Sequence, residues 1–253
     1  MFANLIFALV VSLVVQAVFF AFAATLKTDK VTDLSYALTF VLIAVALFVR
    51  SGIDGAAPLV LAGMVVAWGV RLASYLLYRI WSIGRDERFD GIREDFWRFF
   101  KFWFFQGLAV WVIMFPVTLW FSRPGPWTAW MALGAAIWFV GLVIETIADQ
   151  QKFAFKRTPE GRGKWTDTGL WRYSRHPNYF GELLCWWGVF VFAAPGLGAW
   201  GLLALVGPLA ITGILLFATG IPTLDASARK KWGDDPAYQA YRARTRLLVP
   251  WPF

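Results

Sequence analysis

Residues 4–26 read NLIFALVVSLVVQAVFFAFAATL, a run without one charged side chain. At roughly 1.5 Å of rise per residue it covers about 30 Å of hydrocarbon as a helix, the form that satisfies every backbone hydrogen bond inside the segment. The run is long, lacks a positively charged start and has no clear cleavage site before Lys27, so it reads as a retained span and not as a signal peptide. Working outward, comparable runs recur at 34–50, 57–83, 102–122, 127–148, 179–195 and 199–221, with breaks at charged or Pro/Gly-rich stretches. They are continuous rather than alternating, which selects helices over a barrel. With 59% hydrophobic residues, the chain carries more apolar surface than a soluble domain can bury. The expected fold is all-α: a polytopic integral membrane protein of seven transmembrane helices, forming a single membrane domain over 1–253.

Charge sets the expected topology. Lys27 and Lys30 occupy the first connection, Arg85, Arg88, Arg93, Arg98 and Lys101 the third, and Lys152, Lys156, Arg157, Arg162, Lys164, Arg172 and Arg175 the fifth, with more in the tail. The even connections are nearly bare, flanked only by Arg50 and Arg123. The positive-inside rule then places the odd connections and the C-terminus in the cytoplasm and the N-terminus outside. The same bias, with attraction to anionic lipid, accounts for the net charge of +8, so no nucleic-acid partner is expected. No obligatory protein partner is evident. One histidine and one cysteine, Cys185, exclude a disulfide within the chain and a His/Cys metal cluster. Charges gathered in loops, not at paired midplane breaks, argue against a transporter or channel.

Ionisable groups inside apolar runs are costly and mark pairs or cavities. Arg71, Tyr75, Tyr78 and Arg79 fall on one helical stripe of the third run, which could line a cavity, while Arg79 could equally snorkel to the interface. Glu145 and Asp149, at i and i+4, close the fifth run; a helix end sealed by Lys152 or Lys156 and a pair for ribose hydroxyls both fit. Glu182, four residues after Asn178, opens the sixth run, where it suits a ligand or simply a helix N-terminus.

The most polar stretch, KRTPEGRGKWTDTGLWRYSRHPNYFGELL at 156–184, mixes cationic donors, aromatic faces and turn-forming Gly and Pro. Arg and Lys hold phosphates by charge-assisted hydrogen bonds, and Trp165, Trp171, Tyr173 and Tyr179 offer faces to a nucleobase or nicotinamide ring. His176 precedes Pro177 and so is extended at the mouth of the next helix, as a structural donor or an acid/base. The tail carries Tyr238 and Tyr241 on a short amphipathic helix, either a lipid-surface anchor or a lid over the loop's ligand.

Together the order E145xxxD149QQK, then GLWRYSRHPNYFGE over 169–182, then GIPTLD ending at Asp225 and YQAYRARTRLLVP over 238–250 resembles the steroid 5-alpha-reductase family in its bacterial, DUF1295-type branch. The resemblance is strong over 145–253. It implies a seven-span reductase that uses NADPH to saturate a carbon–carbon double bond conjugated to a ketone in a steroid or similar hydrophobic enone. Residues 1–125 would be the substrate-side helices and 126–253 the cofactor-binding half, embedded among lipids of a bacterial inner membrane with the cofactor site facing the cytoplasm. Asp149, Asn178, Glu182, Asp225 and Tyr241 match the family's cofactor-binding positions, with Lys156, Arg172 and Arg175 as loop cations and Arg85 and Arg88 as its third-loop basic cluster. Glu145, Tyr173, His176 and Tyr238 join this cofactor set. The family's oxyanion donor is a glutamate and tyrosine pair from the second and third spans. The second run here holds no acid or amide, so Asp33 at its end is the nearest substitute, with Tyr75 or Tyr78 as the phenol.

Two other readings remain open on the same residues. An RHPxYxG element also occurs in isoprenylcysteine carboxyl methyltransferases, which bind S-adenosylmethionine, and a sterol- or lipid-binding protein without catalysis would keep the scaffold.

Overall fold

The computed structural model describes residues 1–83 and 89–251; the expected basic pair Arg85 and Arg88 lies outside them. The described residues fold into ten α-helices: α1 Phe2–Leu26, α2 Thr32–Ser51, α3 Ala56–Ile83, α4 Phe96–Ile113, α5 Phe115–Ser122, α6 Ala129–Arg157, α7 Pro177–Ala193, α8 Gly201–Gly213, α9 Ile221–Trp232 and α10 Pro236–Arg244. Among the described residues the only β feature is an isolated parallel bridge between Ser174 and Arg246. The all-α expectation holds.

The count of spans is coarser than expected. Among the described residues, five helical stretches are long and apolar enough to cross a membrane: Phe2–Leu26, Thr32–Ser51, Ala56–Ser82, Ala129–Arg157 and Gly198–Trp232. A sixth arises if α4 and α5, bent by 49° at Met114, count as one. Pro116 explains the bend, since it has no N–H to continue the ladder and its ring opposes the preceding turn. The Ile113 carbonyl beside the bend faces Gly207 so closely that a Cβ there would lie 2.7 Å from it. The expected run 179–195 becomes α7, only 17 residues long and hence about 25 Å, short of a bilayer core of about 30 Å. Seven full crossings are therefore not established by helix length. The run 199–221 is longer than expected, continuing through a π turn, Ile214–Ala218, and past Gly220 into α9.

The chain separates into two compact units, Met1–Ala135 with Gly188–Pro208, and Ala136–Trp187 with Leu209–Phe253. In the first, Phe40, Trp68, Trp103 and Trp120 are fully buried, and Phe40 meets Trp68 edge to face at 5.2 Å between centroids. A polar seam joins α1, α2 and α4: Gln16 Nε2 donates to Thr39 Oγ1 at 2.8 Å, Gln106 Nε2 to Gln16 Oε1 at 2.9 Å, and Ser12 Oγ to the Gly107 carbonyl at 2.8 Å. Amide and hydroxyl groups in an apolar interior must find one another, so this seam fixes helix register. Arg93 is held by Asp29 at 2.9 Å and by Asp90 and Glu94 beside it, clamping the approach to α4.

In the second unit, α6 and α7 touch backbone to backbone. A Cβ added at Gly141 would sit 2.6 Å from the Gly181 carbonyl, and one at Gly181 would sit 2.6 Å from the Gly141 carbonyl. Both clashes are with main chain, which cannot yield by a rotamer change. Gly181→Val should lower stability by about 3 kcal/mol, the upper part of the range for overpacking, read as a drop in unfolding midpoint in detergent. An unchanged midpoint would show that α6 and α7 can separate without cost.

Candidate functional site

The motif-bearing segment between α6 and α7 is tied down by its own side chains. Gly169 adopts a left-handed φ of +60°, and a side chain there would collide with Gln151, whose Oε1 accepts the Leu170 N–H at 2.8 Å. The resulting 3-10 turn, Gly169–Arg172, buries Trp171, and its Nε1 donates to the Ala148 carbonyl of α6 at 2.8 Å. The C-terminal segment then lies along this turn. Tyr241 of α10 donates its phenol to the Trp171 carbonyl at 2.8 Å, Arg175 N–H donates to the Arg246 carbonyl at 2.9 Å, and Ser174 Oγ to that of Leu248 at 2.7 Å. Burial pushes the Tyr241 phenol well above its ordinary range, so it stays a donor at any working pH.

These ties build a cleft of about 190 Å³ walled by α6, the segment 165–176, α9 and α10. Pockets for whole drug-sized ligands run roughly 300–1,000 Å³, so this half-open cleft can seat part of such a ligand while the rest lies outside it. Its walls are aromatic: Trp165 lies 5.1 Å from Tyr238 and 6.2 Å from Tyr241 and Trp232, centroid to centroid, and Trp171 completes the set. Lys152 Nζ stands 4.9 Å over Trp171, and Lys156 Nζ stands 5.1 Å over Trp232 and donates to the Lys164 carbonyl.

The charged residues of the wall are Lys152, Lys156, Arg175 and Lys231 against one carboxylate, Asp225. Asp225 is itself engaged, accepting from Arg242 at 3.2 Å and from Arg175 at 3.4 Å, with His176 Nε2 3.6 Å away and beyond hydrogen-bond reach. Positive potential is therefore in surplus: Lys156 and Lys231 repel each other, as do Lys152 and any charge on His176. Four buried polar atoms of this wall, Trp165 Nε1, Thr166 Oγ1, Arg175 Nε and His176 Nε2, have no hydrogen-bond partner among the described residues. Each such atom costs about 1–3 kcal/mol, and all four belong to the segment 165–176.

The expected cofactor residues divide accordingly. Lys156, Arg175, His176, Asp225, Tyr238 and Tyr241 line the cleft. Arg172 and Tyr173 are exposed and are not part of the wall. Glu145 and Asp149 are buried on the α7-facing side of α6, where Asp149 accepts from Asn178 Nδ2 at 3.2 Å, and Glu182 is half-buried on α7. Lys152, Thr166, Ser227, Lys231 and Trp232 belong to the wall but not to the expected set. A Lys-Lys-Trp run at 230–232 was the available signal; the Trp232 indole donates to the Gly163 carbonyl, a contact no spacing rule announces.

The catalytic expectations fall in the first unit. Asp33 accepts from Arg79 Nη2 at 3.0 Å, so Arg79 is a partner across α2 and α3. Tyr75 is half-buried with the Arg71 guanidinium 5.8 Å from its ring centre, and Tyr78 is half-exposed.

His176 gives the site a pH dependence. Burial, reinforced by Lys152, pushes its imidazole down to about 4 from an ordinary 6.5, against the opposing pull of Asp225. The folded state thus holds His176 neutral, and between pH 6.5 and 4 the unfolded chain binds the extra proton. Its contribution is complete above pH 6.5 and is lost as pH falls toward 4, amounting to about 3 kcal/mol. Wild type should lose more stability than His176→Gln between pH 7 and pH 4.5 in parallel melts; identical losses would contradict a buried neutral imidazole.

Fold and site together define an all-helical chain with several membrane-length apolar helices and a cationic, ring-walled cleft on its motif segment. A family model described as a protein of unknown function, DUF1295, matches residues 19–245, and the chain belongs to that family. An uncharacterized protein of Schizosaccharomyces pombe is 25% identical over 226 residues, covering 76% of this chain and 63% of the relative. The chain thus spans less than two thirds of that relative's length. No solved structure matches it.

Proposed function

We propose that this protein is a membrane reductase that uses NADPH to saturate the double bond of a 3-oxo-Δ4 steroid or a similar lipid enone, with its cofactor side toward the cytoplasm. The observation that carries this reading is the cleft itself: four cations among tilted and edge-on indole and phenol rings, walled in part by the very segment that bears the motif. The donor set fits a phosphorylated dinucleotide. Lysines and Arg175 suit phosphates, the rings suit a base, and Asp225 keeps Arg175 oriented without neutralising the wall. A sulfonium such as that of S-adenosylmethionine would meet repulsion from the same cations.

Bound NADPH supplies the hydride that reaches the β carbon of the enone. The chain's part is to hold the cofactor and to stabilise negative charge as it grows on the substrate oxygen. A carboxylate already accepting from an arginine is poorly placed to donate, so Asp33 serves to position Arg79 and α3, and Tyr75 is the phenol that donates. Tyr75→Phe should reduce turnover about a hundredfold with NADPH affinity within a factor of two, and Tyr78→Phe should matter less. Equal turnover in wild type and Tyr75→Phe would remove the phenol from the mechanism. The activity itself is tested by incubating membranes containing the protein with NADPH and a 3-oxo-Δ4 steroid and reading a two-hydrogen mass gain. Cofactor binding without conversion across a panel of enones would favour a lipid-binding protein, and stabilisation by S-adenosylmethionine alone a methyltransferase.

A further inference from the structure

We infer that the C-terminal strap 245–251, with Arg172, Tyr173 and Arg244 beside it, docks on a membrane surface of anionic phospholipid headgroups. The sequence points to α10 as the lipid-surface helix of the tail, but its Tyr238 and Tyr241 are buried in the wall of the cleft. The exposed apolar side chains lie one step further along the chain: Leu247, Val249 and Trp251 are 41%, 43% and 56% exposed, and Tyr173 is 37% exposed. Arg172, Arg244 and Arg246 are exposed among them, and neither 172–175 nor 244–251 contains an acidic residue. Arginines set among apolar and aromatic side chains match an anionic lipid surface, which presents phosphates with hydrocarbon just beneath them. Docking of this kind needs no cofactor and stands apart from the cleft.

The strap is fixed at the right level by its main chain. The Arg175 N–H donates to the Arg246 carbonyl at 2.9 Å, Ser174 Oγ to that of Leu248 at 2.7 Å, and Thr245 Oγ1 to that of Arg172 at 3.4 Å. Residues 172–175 stand just before Pro177, where α7 begins, and α7 carries Glu182 as its one charged side chain through Ala193. The end of an apolar helix marks the boundary between hydrocarbon and headgroups, so these bonds hold the strap at that boundary. Tyr173 and Trp251 bring to it the amphipathic rings that settle at a membrane interface. Because the backbone is already held, docking orders side chains alone, and a few arginines suffice. The same bonds couple the strap to the motif segment: a strap held by lipid keeps the Arg175 N–H, one residue before His176, from opening to water.

The test places the full chain in lipid nanodiscs with a nitroxide on Val249→Cys; the native Cys185 is 1% exposed and stays unlabelled. Power saturation reads the access of the label to oxygen, which dissolves in hydrocarbon, and to a nickel complex, which stays in water. In nanodiscs of phosphatidylcholine mixed with phosphatidylglycerol the label should be open to oxygen and shielded from nickel. That shielding should be lost in phosphatidylcholine alone, and also in the mixture when Arg172→Gln and Arg244→Gln are combined, with the melting point in detergent unchanged. A label open to nickel in every membrane would overturn the docking. Equal shielding with and without the anionic lipid would overturn headgroup recognition, and shielding from both reagents would put a protein partner on this surface in place of lipid. The Arg175 amide should exchange more slowly in the anionic nanodiscs, and an unchanged rate would overturn the coupling to the motif segment.

Discussion

Asp225→Ala is expected to lower the unfolding free energy by about 3 kcal/mol, because it strips the shared partner from two arginines that are mostly buried. Arg175 and Arg242 bring their guanidinium groups to the same carboxylate oxygen, with side chains 16% and 23% exposed, and they come from different elements, one before α7 and one in α10. Without the carboxylate the two cations repel, and the join between the motif segment, α9 and α10 loosens. Asp225→Asn keeps an oxygen acceptor and should fall between alanine and wild type. Denaturant titration in micelles reads the effect. A loss within about 0.5 kcal/mol would show that the ion pairs are solvated and idle. Since Asp225 also matches a cofactor position by motif, the stability measurement separates its structural part from any loss of binding.

The second large effect concerns ligand affinity. Lys156→Glu should weaken NADPH binding about a hundredfold, since it removes one charge-assisted contact and places a carboxylate among the phosphates. The ammonium lies over Trp232 and close enough to Lys231 for the two to repel, so the pair adds positive charge on one side of the wall. Raising salt should weaken wild-type binding more steeply than that of the variant. Binding within twofold of wild type, with the same salt slope, would move the phosphates elsewhere.

Much of the fold was legible because hydropathy acts locally. The stretch 4–26 became α1 within a residue or two, and the continuous apolar runs all became helices. What the runs could not reveal was how helices end and bend. The run 102–122 gave no hint of which side of Pro116 would kink. The run 179–195 has the look of a full span because no charge interrupts it, yet α7 stops at Ala193 and the Ala194–Gly196 stretch that follows turns as a 3-10 helix around its proline. The long last stretch owes its extra reach to α9, which follows the π turn at 214–218 after only Thr219 and Gly220.

The site was legible in its cations and rings and less so in its partnerships. Motif and residue chemistry singled out Lys156, Arg175, His176, Asp225, Tyr238 and Tyr241, and these do come together. Asp149 and Asn178 met each other away from the cleft wall, a pairing that depends on the α6–α7 glycine contact and not on either residue's neighbours in sequence. Thr166 carried no signal at all. A threonine in a polar loop looks solvated until packing buries it to 5% and leaves its hydroxyl unpartnered among the described residues.

Hydrogen–deuterium exchange of the full chain with and without saturating NADPH tests the central claim most directly. Slowed amide exchange over 163–176 and 224–241, the segments that wall the cleft, is the result this account predicts. Unchanged exchange across both segments, with NADPH either inert or protecting other parts of the chain, would contradict it.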